Sequence, residues 1–364
     1  MRIFLLVLFF ACAASAVAAP VTVDSPRWQF EGEENKVIEY LGKRALYLHG
    51  ANAKLPDANF ETGVIEFDMV LPHNAQSFPG VIFRGQDDDN YEHFYFRPHQ
   101  NGNPDANQYT PVINGMTGWQ IYSGTNYETK TLYRLNQWFH VRLEIADDSA
   151  RVYIDSAQPT LVVHDLKRER KPGFVLFKGS LGGAYYANID IEPGHPEAAP
   201  AEPAPDLPAG LARAWSVSPA MAEADALAAA RENRLSALSW TSLPVETNGI
   251  ANLARVARRS DQTPTVLARL SVRADRARSV AMRFGFSDRV QVYLNGTLLY
   301  AGDDSQASRD YRFLGTVGFY DTLELALRQG RNEIVFVVSE GGGGWAANAA
   351  FPDMTGLTLS PNWR

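Results

Sequence analysis

Apolar and polar side chains alternate at every second position in several short segments of the chain's first half. In residues 63–71, Ile65, Phe67, Met69 and Leu71 are apolar, and two acidic residues stand between them. A period of two matches a β-strand that buries one face. No long amphipathic helix interrupts the series, so an antiparallel sandwich or barrel is expected. The pattern recurs in residues 81–84, 91–97, 138–145, 151–155, 174–178 and 185–191.

The second half of the chain has its own β pattern. Residues 290–300 contain Asn295-Gly296, a pair that favours the positive φ angles of a type I′ hairpin turn. Residues 220–232 are rich in Ala, Leu and Glu and form the one stretch with helical propensity. Further alternating segments lie at residues 265–272, 279–286, 323–327 and 333–338.

Residues 194–210, between the two halves, are rich in proline, alanine and acidic residues. This composition cannot bury a core and favours an extended, semi-rigid spacer. At 364 residues, the chain is long enough for two domains of ordinary size. We therefore expect an all-β protein with two antiparallel β-sandwich (jelly-roll) domains, residues 19–193 and 211–364, joined by a Pro/Ala-rich linker.

Residues 1–18 have the features of a signal peptide. A short basic start precedes an apolar run at residues 3–11, and Ala16-Val17-Ala18 matches a cleavage site. The run falls short of the ~20 residues that a membrane-spanning helix needs, and no later segment is apolar enough. We expect a secreted or periplasmic protein, cleaved after Ala18. The one cysteine, Cys12, leaves with the signal peptide; a lipoprotein acylated at Cys12 is the alternative.

Five segments of the first half resemble a known superfamily. The resemblance is to the concanavalin A-like lectin/glucanase superfamily over about residues 28–192, and laminin-G-type modules are the nearest shape. It implies a β-sandwich, but the superfamily contains lectins, glycosidases, lyases and adhesion modules, so no single activity follows. The segments are Gly63-Val-Ile-Glu-Phe-Asp, Gly80-Val-Ile-Phe-Arg, Asn90-Tyr-Glu-His-Phe-Tyr-Phe-Arg-Pro, Asn136-Gln-Trp-Phe-His-Val-Arg and Ala150-Arg-Val-Tyr-Ile-Asp.

The second half resembles a different module. Its Asn-Gly hairpin is followed by a Leu-x-x-Gly-x-Asn-Glu turn at residues 327–333. Together these resemble a galactose-binding-like jelly roll over about residues 211–359. Such modules are frequently appended to glycosidases, so the resemblance implies a fold without implying a separate activity.

Several polar side chains of the first half would lie on one face of the sandwich if its strands pair as the resemblance implies. Charged and planar groups together suit sugar recognition, since they pair with hydroxyls and stack on pyranose C–H faces. A solvated sheet face also carries charges, which is the simpler interpretation. The first hypothesis is an exported carbohydrate-binding protein that holds its ligand on this face. The face comprises Glu66, Asp68, Arg84, His93, Tyr95 and Arg97.

Residues 98–119 form a long polar excursion of the kind that often makes a functional rim. We expect Gln108, Trp119 and Tyr122 to join the ligand-binding set, with the two aromatic residues as a sugar platform. The alternative is that Trp119 closes the edge of the sandwich. The predicted ligand-binding residues are then Asp68, Arg84, His93, Tyr95, Arg97, Gln108, Trp119 and Tyr122.

The second hypothesis is a carbohydrate-active enzyme with its site on the same face. Glu66 and Asp68 would stand about 6–7 Å apart along one strand, a spacing that suits a glycosidase carboxylate pair. Laminarinase-type members of the superfamily show Glu-x-Asp-x-x-Glu, and here Leu71 occupies the last position. The second catalytic carboxylate of a glycoside hydrolase is therefore missing. A polysaccharide lyase with His93 or Tyr95 as base stays open.

Two further features bear on ligands and partners. Asp87, Asp88 and Asp89 stand in a turn and suggest a structural calcium ion, although such residues favour turns without one. No other cofactor is expected. The net charge of −7 argues against a general nucleic-acid binder. A third hypothesis, a protein-binding adhesion module, would require a flat apolar exposed face.

Four consecutive glycines separate Glu340 from Trp345. Glycine lets a backbone approach another group closely, which would place Trp345 at a loop tip or a ligand edge. The simpler interpretation is a strand connection with Trp345 buried. A phosphate-binding loop is not expected, because no Lys-Ser/Thr pair follows the glycines and no helix start is visible.

Overall fold

The structure is a computed structural model that describes residues 21–73, 75–202, 205–232, 234–306, 308 and 315–360. The predicted signal peptide, with Cys12, lies outside these residues. Nearly all the regular structure is β, and α1 (Glu223–Arg231) is the one α-helix of the described residues. Short 3₁₀ turns lie at Pro98–Gln100, Leu235–Ala237 and Leu253–Arg255. Among the helices that the structure describes, none is long and apolar enough to cross a membrane.

The strands divide at the linker into two groups. Those of the first half are β1 (Gln29–Tyr40), β2 (Lys43–Phe60), β3 (Gly63–Val70), β4 (Gly80–Asp87), β5 (Asn90–Phe96), β6 (Asn107–Ile113), β7 (Met116–Thr117), β8 (Glu128–Thr129), β9 (Phe139–Ile145), β10 (Ala150–Ile154), β11 (Leu161–Val163), β12 (Gly173–Lys178) and β13 (Ala184–Pro193). Those of the second half are β14 (Ala214–Val217), β15 (Thr241–Pro244), β16 (Ala251–Asn252), β17 (Thr265–Ala274), β18 (Arg278–Ser287), β19 (Arg289–Leu294), β20 (Thr297–Asp303), β21 (Asp321–Leu327), β22 (Gly330–Ser339), β23 (Ala346–Ala350) and β24 (Leu357–Ser360).

The first half is one antiparallel sheet that curls over its own core. Its strand order is β11-β10-β9-β3-β13-β2-β12-β4-β5-β6-β7, with β1 beside β2 and β8 beside β6. Phe96 of β5 and Phe139 of β9 lie far apart in this order, yet their ring centroids are 5.8 Å apart. Phe67 of β3 also contacts Phe177 of β12, with ring centroids 5.2 Å apart. The sheet therefore folds into a sandwich whose two layers meet through aromatic rings.

The alternation rule predicts the buried faces of these strands correctly. Ile65, Phe67, Met69 and Leu71 are fully buried, as the period-two pattern requires. The alternation pattern did not predict strands β1 and β2. Most of β1 is exposed, so it has no buried face that an alternating pattern would reveal.

The second half packs two antiparallel sheets face to face. One has the order β15-β14-β17-β22-β19-β20, with β24 beside β17, and the other has the order β16-β23-β18-β21. Phe284 of β18 contacts Phe336 of β22 across the core, with ring centroids 5.5 Å apart. Asn295 and Gly296 join β19 to β20 with φ angles of 52° and 83°, as expected for the hairpin turn. The predicted all-β class of antiparallel sandwiches is confirmed, as is the helix predicted near residues 220–232.

The linker and the two halves contact one another. The linker backbone at Ala198 and Pro200 accepts hydrogen bonds from Arg151 (3.0 Å) and His164 (2.7 Å), so this part of the spacer lies on the first sandwich. Between the halves, the hydroxyl of Tyr122 donates to Oε1 of Glu246 at 2.6 Å. The precise domain boundaries stay a prediction.

Candidate functional site

A cavity of about 400 Å³ opens on the outer face of the sheet above β5, and we call it the β5 pocket. Phe94 and Phe96 of β5 lie in the core. Because side chains alternate along a strand, His93, Tyr95 and Arg97 lie on the outer face. The pocket includes both predicted site residues and others from both halves of the chain. Its lining includes Phe78, His93, Tyr95, Arg97, His99, Asp105, Trp119, Lys178, Gln306 and Gly342.

Strand register explains why there is space above this part of the sheet. Lys178 of β12 pairs with Gly80 of β4, and Gly80 pairs with Tyr95 of β5. The middle position of this row carries no side chain. A Cβ atom at Gly80 would lie 2.2 Å from the carbonyl oxygen of Phe94, so the position accommodates glycine alone. Lys178 and Tyr95 therefore flank a gap in the outer layer of side chains.

A hydrogen-bond network fixes the polar wall of the β5 pocket. Nη2 of Arg97 donates to the hydroxyl of Tyr95 at 2.8 Å, and both groups donate to Oε1 of Gln108. The Nη1 group of Arg97 lies 3.4 Å from Asp105 and 3.5 Å from Glu128. These partners hold the guanidinium in one orientation and balance its charge, so the wall is ordered before any ligand arrives.

Gln108 connects this wall to the loop that carries Trp119. Its Nε2 atom donates to the backbone carbonyls of Trp119 at 2.9 Å and Tyr122 at 2.5 Å. Gln108 is fully buried and lies behind the pocket wall. Its contribution to a site is to position Tyr95, Arg97 and Trp119.

Burial sets the protonation of the pocket's titratable groups. It lowers the pKa of His93 well below its usual value, and the nearby charge of Lys178 lowers it further. His93 is therefore neutral at pH 7, and its Nε2 has no hydrogen-bond partner within the described part of the chain. Burial also raises the pKa of Tyr95, so its hydroxyl stays protonated.

The second half of the chain supplies one side of the pocket through Gln306 and Gly342. The glycine-rich loop approaches the first half at Gln120, whose backbone N–H donates to the carbonyl of Gly343 at 2.9 Å. The backbone of Gly343 has a φ angle of 130°, and a Cβ atom there would lie 2.3 Å from Oε1 of Gln120. The glycines thus permit a close contact between the halves. Trp345 is fully buried, which confirms the simpler interpretation of this segment.

Glu66 and Asp68 do not belong to the pocket, and the prediction of one shared face is wrong for them. In the sheet, β3 is separated from β5 by β13, β2, β12 and β4. Glu66 instead pairs with Arg142. Burial alone would raise the pKa of Asp68, but hydrogen bonds from Lys43, His140 and Asn188 outweigh this effect and lower it. β3 and β5 are therefore close in the chain but are not neighbours in the sheet.

Arg84 also leaves the predicted face. The pairing of β4 with β5 is irregular between Phe83 and Asp87, and Arg84 itself has a positive φ of 50°. Its buried guanidinium donates to the carbonyl oxygens of Glu61 at 2.6 Å and Ala146 at 2.7 Å. The residue ties loops together and does not line the β5 pocket.

The aromatic platform predicted from Trp119 and Tyr122 does not form. A tight turn, in which the N–H groups of residues 121 and 122 donate to the carbonyl of Gly118, sends the two rings in different directions. Trp119 lines the pocket, whereas Tyr122 is fully buried and contacts Glu246 and Asn252 of the second half. Tyr122 is therefore part of the contact between the halves.

The three turn aspartates have separate partners. The carboxylate of Asp87 accepts from the backbone N–H of Asp89 at 2.9 Å. Asp88 lies 3.2 Å from the ammonium of Lys54, and Asp89 pairs with Arg258. Among the described residues, no group of three or more His, Cys, Asp or Glu side chains is placed to hold a metal ion. A calcium ion here stays a prediction, which thermal unfolding with calcium and with a chelator would test.

Phe78, Lys178 and Gln306 belong to the pocket but were not predicted from the sequence. His99 lies within the functional rim predicted at residues 98–119, and Gly342 lies within the run of four glycines. Lys178 is the last residue of β12 and directly follows Phe177, which packs in the core, so Lys178 lies on the opposite, outer face. The proximity of Lys178 to β5 cannot be predicted from the sequence, because it depends on which strands pair in the sheet.

No family model matches this chain. Solved structures similar to it include the carbohydrate-binding module CBM66 from Bacillus subtilis, with 14% identity and a TM-score of 0.33 over 44% of this chain and 92% of the module. A galectin from Caenorhabditis elegans matches with 10% identity and a TM-score of 0.29, over 38% of this chain and 89% of the galectin. The β-glucanase of Bacillus licheniformis matches with 12% identity and a TM-score of 0.32, over 46% of this chain and 92% of the enzyme.

The three matched structures are a carbohydrate-binding module, a galectin and a β-glucanase. Each covers less than half of the chain, and the likeness is one of fold. The laminin-G-type and galactose-binding-like resemblances stay predictions.

Proposed function

We propose that the protein binds a carbohydrate in the β5 pocket. The observation that carries this proposal is the fixed Arg97–Tyr95–Gln108 network beside half-buried Trp119, in a cavity of about 400 Å³. A volume of this order suits a ligand of one or two sugar rings. The network offers oriented polar groups to sugar hydroxyls, and aromatic surface suits the C–H face of a pyranose.

The pocket has the mixed lining that a sugar needs. Phe78 is 36% exposed at the pocket and contacts both Tyr95 and His99 edge-on, with ring centroids 5.7 and 5.5 Å away. With Trp119 it gives the pocket apolar surface next to the polar wall. A protein-binding adhesion module would instead present a flat apolar face, so the concave polar site favours a glycan over the adhesion hypothesis.

A glycan array probed with the full chain tests the proposal. Trp119→Ala should weaken binding of the sugars found by about tenfold, because it removes a stacking surface. Trp138→Ala is the matched control, since Trp138 is also half-buried but lies by Tyr40, outside the pocket. The proposal fails if the folded protein binds no glycan, or if the two variants bind equally well.

Cleavage of the bound sugar is the second candidate function. The observation that favours it is the neutral His93, which lines the pocket with its ring centroid 5.0 Å from that of Tyr95, whose hydroxyl stays protonated. A proton acceptor next to a proton donor is the arrangement that a lyase requires. Glu66 and Asp68 are no longer candidates for this role, because they lie outside the pocket.

The test of this candidate is product formation from each glycan that binds. New reducing ends or unsaturated sugars should appear with the wild-type protein and disappear in His93→Gln, while Trp138→Ala retains activity. Binding without products from any bound glycan would leave the protein as a binding module.

We also propose that the protein is exported, on the basis of the signal-peptide features of residues 1–18. Expression of the full chain followed by N-terminal sequencing of the secreted or periplasmic product tests this. The mature chain should begin at Ala19; an intact Met1 in the cytoplasm would contradict it.

A further inference from the structure

Lys178 is the cation of the β5 pocket whose charge is not balanced. It lies at the end of β12, partly buried, in a row with Gly80 and Tyr95. No carboxylate lies within ion-pair distance of its ammonium among the residues that the structure describes. Arg97, in contrast, already has Asp105 and Glu128.

A comparison with Lys167 shows how unusual this is. Burial alone would lower the pKa of Lys167, yet Tyr127 together with Asp165 and Glu246 raises it. The ammonium of Lys167 lies 2.5 Å from Asp165 and 3.9 Å from Glu246. For Lys178, burial lowers the pKa and no opposing charge compensates. A buried cation without a counter-charge is unfavourable, and such groups concentrate where a ligand supplies the missing partner.

His93 adds a second unused polar group. His93 lines the cavity and is 6% exposed. Its buried Nε2 lacks a hydrogen-bond partner in the described structure. His93 and Lys178 both line the β5 pocket, and the positive charge of Lys178 contributes to the lowered pKa of His93. A neutral imidazole with one N–H can donate a hydrogen bond to an anion without a second charge. The ammonium and the imidazole therefore offer an anion two donors, from β12 and from β5, the strands on either side of β4.

The acidic groups of the pocket restrict where an anion would bind. Asp105 and Glu128 stand on the Arg97 side, where they repel a further negative group. Among the residues that the structure describes, no such carboxylate lines the Lys178 side. An anion is therefore directed toward β12, and the rest of the sugar lies between Trp119, Phe78 and the Arg97 network.

We infer that the sugar unit held in the β5 pocket is acidic, and that its carboxylate or sulfate contacts the ammonium of Lys178 and the imidazole of His93. This inference rests on the proposed function and specifies the ligand class. The polar wall built on Arg97 then serves hydroxyl groups, and Lys178 determines the preference for charge.

Calorimetric titration of the full chain with matched oligosaccharides tests the inference. The probes are oligouronates with their methyl esters, and a sulfated galactan oligosaccharide with its desulfated form. In each pair the neutral member has its acidic group esterified or removed, and comparison of the pairs separates carboxylate from sulfate. The acidic member of the preferred pair should bind about tenfold more tightly than its neutral counterpart, the size of one charge-assisted contact.

Lys178→Met should abolish that tenfold preference, so that the charged and the neutral member bind with equal affinity. Lys171→Met is the matched control; its side chain is 53% exposed beside Glu169, outside the pocket, so it should keep the preference. Equal affinity of the wild-type protein for both members, or a preference that survives in Lys178→Met, overturns the inference alone. Failure of the folded wild-type protein to bind any probe, charged or neutral, or any sugar of the array contradicts the proposed function itself.

Discussion

The backbone N–H of Gln120, in the first half of the chain, donates to the carbonyl oxygen of Gly343 in the second half at 2.9 Å. The side chain of Gln120 also accepts from the hydroxyl of Ser287 at 3.0 Å and lies 3.4 Å from Asp288. Gln120 directly follows Trp119, so the second half holds the loop that forms one wall of the β5 pocket. The pocket is therefore a property of both halves.

Gly343→Ala should weaken sugar binding about tenfold with a modest loss of stability, about 1 kcal/mol. The added Cβ would lie 2.3 Å from Oε1 of Gln120 and 2.9 Å from Nε1 of Trp119. Oε1 ends the flexible side chain of Gln120 and Nε1 belongs to the indole ring of Trp119, so the methyl group would displace both side chains and disturb the pocket wall. Gly330→Ala is the control, because Gly330 also has a positive φ, 87°, but nothing lies within 4 Å of a Cβ there. Equal binding by both variants in calorimetry would refute this role of Gly343.

Gln108→Leu should lower the free energy of unfolding by about 1–3 kcal/mol. The substitution removes the acceptor for the Tyr95 hydroxyl and the Arg97 guanidinium, and the donor to two backbone carbonyls. Buried polar groups would be left without partners. Urea unfolding measures the change, with the exposed Gln86→Leu as control. A loss no larger than that of the control would mean that water replaces Gln108 in the network.

Local alternation is enough to predict much of this site. It predicts that His93, Tyr95 and Arg97 share the outer face of β5, because side chains two residues apart in a strand lie on the same face. It does not predict sheet neighbours, which depend on pairing between distant parts of the chain. Glu66 was therefore grouped with β5 incorrectly, and Lys178 was missed.

Backbone irregularities are a second limit on prediction from sequence. Arg84 would face outward in a regular strand, and a positive φ at this residue turns it away. The residue types around Arg84 do not predict this positive φ angle. The contact between the halves is equally hidden, since it joins Tyr122 and Gln120 to residues more than a hundred positions away.

Asp68→Asn should leave sugar binding unchanged within about twofold, because Asp68 lies outside the β5 pocket. Its carboxylate lies 2.7 Å from Lys43, 3.0 Å from His140 and 2.6 Å from Asn188, all on strands away from β5. The change should instead cost about 1 kcal/mol of stability through the weakened ion pair. Calorimetric titration and thermal unfolding of the same variant separate the two effects. A large loss of binding would restore Asp68 to the site.

Glu340 should make the protein less stable as the pH rises from about 5 to 8. Burial, together with the charge of Asp288, raises the pKa of Glu340 to about 8. In the unfolded chain the pKa of a glutamate is about 4.3, so between these values the folded state binds the extra proton. The stabilisation is complete below the unfolded pKa and is lost as the pH passes the folded pKa. The total effect is on the order of a few kcal/mol.

Glu340→Gln removes this dependence while its Oε1 still accepts from the N–H of Gly342, which lies at 2.7 Å in the wild-type protein. The difference in Tm between variant and wild type should therefore grow from pH 5 to pH 8 in favour of the variant, and stay constant above. Other titrating groups, including His93, contribute equally to both proteins and cancel. Glu324→Gln, at an exposed position, is the control and should show no such trend. A pH-independent difference for Glu340→Gln would show that Glu340 is ionised throughout this range.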